Sequence, residues 1–169
     1  MSRLAAALLA LCASAAPAAP LEVTPARTEA AGYAVTHALL VTNLLKNCAP
    51  FQERLKEDLK ATLAAWKQRN GERVLAAQAY FAFTREALAR HDGAAAAEAF
   101  DERTHGVFVE QANRSLNDIF GALGPQLAVC ERWAGAIAKG DADLNWQSKY
   151  LPLLDEMVEQ ARALQPGAR

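Results

Sequence analysis

The sequence has 169 residues, of which 52% are hydrophobic and 22% charged, and its 18 basic and 19 acidic side chains leave a formal net charge of −1. That composition fits one ordinary globular domain and excludes a disordered or collagen-like chain. The balance of charge, with no long single-sign run, also removes the electrostatic footprint that a nucleic-acid-binding surface needs.

Residues 1–18 read as a cleaved signal peptide of bacterial Sec type. Arg3 supplies the charged start, Leu4 to Ala16 the apolar run, and Ala16-Pro17-Ala18 the small-residue cleavage pattern. Cleavage is expected after Ala18, with Ala15 as the runner-up. Leu11 before Cys12 argues against a lipoprotein signal, which wants a small residue there. Arg3 is the only charged residue lost, so the net charge moves from −1 to −2. Residues 19–169 then form a single domain in the periplasm or outside the cell. That domain has no integral membrane segment, because no other stretch approaches ~18 consecutive apolar residues. Cys48 and Cys130 remain after cleavage, and an even pair in an exported chain predicts a disulfide.

Thr24-Pro25 is a helix start, and the apolar rows Tyr33, His37, Leu40, Leu44 and Ala34, Ala38, Val41, Leu45 carry the helix to Asn47. Phe51, Leu55, Leu59, Leu63 and Trp66 predict a second amphipathic helix, closed at Asn70-Gly71 by a left-handed cap. A third, from Glu72 to Arg90, is apolar nearly all round and is therefore expected to lie at the centre. A fourth runs from the Ala94 to Ala97 tract to about Leu123, with a possible bend at Gly106. Gly124-Pro125 starts a fifth, in which Leu127, Cys130, Ala134 and Ile137 share a face and Lys139-Gly140 is the stop. Asp143 is expected to cap a last segment striped by Trp146, Tyr150, Leu153, Met157 and Leu164, kinked or divided at Pro152. No sustained period-two alternation marks a strand. The predicted fold is all-α, an up-and-down bundle of five or six helices with one disulfide.

Catalytic grammar is sparse. The mature chain holds two serines, Ser115 and Ser148, outside any nucleophile frame, and it has no C-x-x-C, haem-attachment or glycine-rich phosphate motif. No enzyme activity and no cofactor are expected. One possible ligand pocket would join His37, which stands in an apolar row, with Gln78 and Tyr80 of the third helix; the plainer reading is separate, satisfied core groups. A weak metal site would use Glu98, Asp101, Glu102 and His105, where Glu102 and His105 have Glu-x-x-His spacing on one helical face. No second copy of that element exists, and a solvated salt-bridge face explains it as well. The expected function is binding of another envelope or secreted protein, in the manner of a chaperone, inhibitor or immunity factor. The alternative is a bundle that binds a small ligand or a metal.

Overall fold

The computed structural model describes residues 22–122, 124–144 and 149–163. The predicted signal peptide, Trp146 and Leu164 lie outside them. Five helices follow in order: α1 Pro25–Cys48, α2 Leu59–Asp92, α3 Ala94–Ala122, α4 Gln126–Lys139 and α5 Leu151–Ala163. The described residues contain no strand, so the all-α bundle is observed.

Thr24 is extended, and its hydroxyl accepts the Arg27 amide at 3.2 Å while Pro25 fills a first-turn position that needs no donor. Buried Ala30, Ala31 and Ala34 let α1 approach α2 at Ala76, Ala77 and Tyr80, where α5 adds Leu154, Met157 and Val158. A second cluster at the other end of α1 joins Val41, Leu44 and Leu45 to Leu59 and Trp66 of α2 and to Ala134 and Ile137 of α4. The predicted disulfide is present there: Cys48 and Cys130 are fully buried, with Cα atoms 5.5 Å apart. It ties the end of α1 to the first turns of α4. Helix α2 packs against all four other helices, as its wide apolar wrap requires.

Three boundaries differ from expectation. The second and third predicted helices are one. Asn70 does not cap a helix end, because its amide donates to the Trp66 carbonyl one turn back and to Asp143 across the bundle, so α2 continues through Gly71. The start of that helix lies later than predicted. Ala49–Arg54 is a 3-10 turn behind Pro50, and Asp58 caps the α-helix by accepting the Ala61 amide at 2.8 Å. The last helix starts later than predicted, at Leu151: the Asp143 carboxylate faces α2, and Pro152 falls in the first turn of α5, where proline is tolerated, so no kink follows. Gly140, at φ +88°, ends α4 as expected.

Candidate functional site

The connector after α4 is pinned by side chains of α1 and α2. The Ala142 carbonyl accepts two ring donors, Trp66 Nε1 at 3.0 Å and His37 Nε2 at 2.8 Å. One residue on, Asp143 accepts Arg69 Nε at 2.7 Å, Arg69 Nη2 at 3.1 Å and Asn70 Nδ2 at 2.9 Å. Asn70 Oδ1 in turn accepts the Leu144 amide at 3.0 Å, and Arg69 Nη2 reaches the Ile137 carbonyl at 2.7 Å. A carbonyl can only accept, so His37 carries its proton on Nε2. Burial holds the imidazole below its ordinary value of 6.5, against the opposing pull of the Ala142 carbonyl and Asp143. It is neutral, with Nδ1 left as a lone-pair acceptor.

Of these latch residues, His37 also lines a cleft of about 490 Å³ between α1 and α3. From α1 come Glu29, Gly32, Tyr33, Thr36, His37 and Leu40, which recur at helical spacing; α3 contributes Val107, Phe108, Gln111 and Ser115, and Tyr150 closes the far end. An aromatic row runs along it. Tyr150 stacks on Tyr33 at 5.0 Å between centroids, Tyr33 neighbours His37 at 5.6 Å, and His37 neighbours Trp66 at 6.0 Å. Gly32 permits the closeness of the two helices, since a Cβ there would stand 3.3 Å from Phe108 Cε1. At the rim, Glu29 Oε1 accepts the Tyr150 hydroxyl and Lys149 Nζ, the latter at 3.3 Å. These contacts, the Tyr150 hydroxyl foremost, lower the Glu29 carboxyl below its ordinary value. Val107 is 47% exposed beside the opening.

The residues singled out from sequence separate. His37 belongs to the cleft. Tyr80 is fully buried elsewhere, its hydroxyl paired with Thr28 Oγ1 at 2.7 Å and the Thr24 carbonyl at 3.3 Å, and Gln78 is exposed. The three do not form a common polar patch. Glu98, Asp101, Glu102 and His105 are all exposed on α3, and Asp101 is drawn to Arg85 of α2. Among the described residues no group of three or more His, Cys, Asp or Glu is placed to hold a metal ion. No family model, curated protein or solved structure matches this chain.

Apart from His37, sequence reasoning missed the α1 side of the cleft, although a signal for it exists. Glu29, Tyr33, Thr36 and Leu40 form a mixed polar and aromatic stripe beside the purely apolar one. Chemically, the cleft offers aromatic faces, one fixed carboxylate, and a few hydroxyl and amide groups. Groups of this kind can recognise and orient a ligand, and among the described residues that line the cleft no hydrogen bond joins a nucleophile to a base.

Proposed function

We propose that this chain is an exported, non-enzymatic helical bundle that binds another envelope or secreted protein through the α1–α3 cleft. One observation carries the reading. The cleft is a trough open to solvent, with the large apolar Val107 47% exposed on its rim and half-buried Phe108 behind it, a form that a partner's side chain can enter from outside. The buried Cys48–Cys130 bridge supports an oxidising destination. Neither glutamate nor histidine on the outer face of α3 is needed for this role.

Photo-crosslinking in cells of the source tests it. A benzophenone side chain placed at Val107 or Thr36 should capture a defined protein adduct, whereas the same group at Lys60 or Glu86, both exposed and absent from the cleft lining, should not. Equal capture at all four positions, or none at the two cleft positions, sinks the reading. Sequencing of the mature N-terminus should begin at residue 19; a chain retaining Met1 would remove the export element alone.

A further inference from the structure

Glu29 is the only charged side chain among the described residues that line the cleft, and His37 there is neutral, so the lining complements a cation. Beside it, the chain already shows what fits. The Lys149 ammonium lies 4.4 Å from the Tyr150 ring centroid and 3.3 Å from Glu29 Oε1. Carboxylate and aromatic face together are what attract an ammonium. Tyr150 is held in place by its stacking on Tyr33 and by its hydroxyl, which bonds Glu29. Lys149 itself is weakly held, because its side chain is 65% exposed and that of Glu29 61%, and an exposed pair contributes little. A second ammonium on an apolar stem can therefore take its place. The stem would run along Tyr33 and Phe108, where the missing side chain of Gly32 leaves the helices closely packed around a narrow trough.

Building on the partner reading above, we propose that the α1–α3 cleft receives a lysine side chain of the partner, its ammonium seated between Glu29 and the Tyr150 ring in exchange for Lys149. The chain thus carries an internal competitor for its own site. The probe is n-butylammonium chloride, the lysine side chain alone, titrated at constant ionic strength into the oxidised full-length mature protein. Backbone amide shifts of Glu29, Gly32 and Phe108 are followed by NMR. Saturable shifts at these amides are expected. Lys149→Ala should tighten binding by about three-fold or more as the competitor is removed, and Glu29→Gln should weaken it by about three-fold or more. A merely apolar trough would behave differently: n-butanol would bind as well as n-butylammonium, and Lys149→Ala would change nothing. Either result overturns the proposal, as does the absence of saturable shifts in both the parent protein and Lys149→Ala. A cleft-specific cross-link without ammonium binding refutes the lysine and leaves the partner; ammonium binding without a cross-link refutes the partner.

Discussion

Asn70 is 1% exposed, and both of its amide donors and its oxygen are engaged: the donors go to Trp66 and Asp143, and Oδ1 accepts the Leu144 amide. Asn70→Ala would leave the Leu144 amide buried without its partner and strip one donor from Asp143. The expected loss is about 2–3 kcal/mol in urea unfolding, with the helical circular dichroism unchanged; a loss below about 0.5 kcal/mol would mean the latch contributes nothing. His37 of α1, bonded to the same connector, makes stability depend on pH. Its folded value lies below the ordinary 6.5, so the unfolded chain takes up the proton first as pH falls. The contribution is therefore complete above 6.5 and is lost as pH drops through 6.5 toward the lower folded value. Urea unfolding at pH 7.5 and 5.0 should show a larger fall for the parent than for His37→Gln, which cannot titrate. Equal falls would contradict a buried neutral imidazole. The partial burial of His37 was legible from its place in an apolar row. Its partner was not, because a carbonyl 105 residues away has no sequence signature.

At the scale of elements, helical periodicity reports faces well and ends poorly. Leu55, Leu59 and Trp66 are buried as the second stripe predicts, yet Leu55 precedes the α-helix and reaches the core from the end of a 3-10 turn. Asn70-Gly71 is a sound local stop signal that loses to tertiary hydrogen bonds, and the outward position of Gln78 was not legible because a helix apolar on most sides gives no single inward direction. Two glycines separate propensity from packing. Gly71 lies in mid-α2, and a Cβ added there would meet nothing within 4 Å, so Gly71→Ala should stabilise by about 0.5–1 kcal/mol in thermal or urea unfolding. Destabilisation there would show that α2 is broken at this residue in solution. Gly32→Ala gains the same propensity but meets Phe108 at 3.3 Å. It should gain less in the parent than in a Phe108→Leu background, and a cycle without such coupling would deny the close α1–α3 contact.

Across the whole molecule, the two apolar clusters share α1 and α2 but use different partners: α5 at the Tyr80 end, α4 at the Cys48 end. The disulfide belongs to the second. Its sequence separation of 82 encloses all of α2 and α3, the two longest helices. Cross-linking across so much chain restricts the unfolded state, and the chain-entropy argument gives an upper figure of roughly 4–5 kcal/mol. Cys48→Ala with Cys130→Ala should therefore lower stability by about 2–4 kcal/mol, or on the order of 10 °C in Tm for a chain of this size. The location of the loss discriminates further. With the bridge gone, α1 and α4 keep only Val41, Leu44, Leu45, Ala134 and Ile137 and their neighbours to hold them together, whereas the α1–α2–α5 cluster loses no contact. Hydrogen exchange should thus accelerate more over residues 44–55 and 126–137 than over residues 74–81. Uniform acceleration would mean that the two clusters open as one cooperative unit, with the bridge acting on the unfolded chain alone.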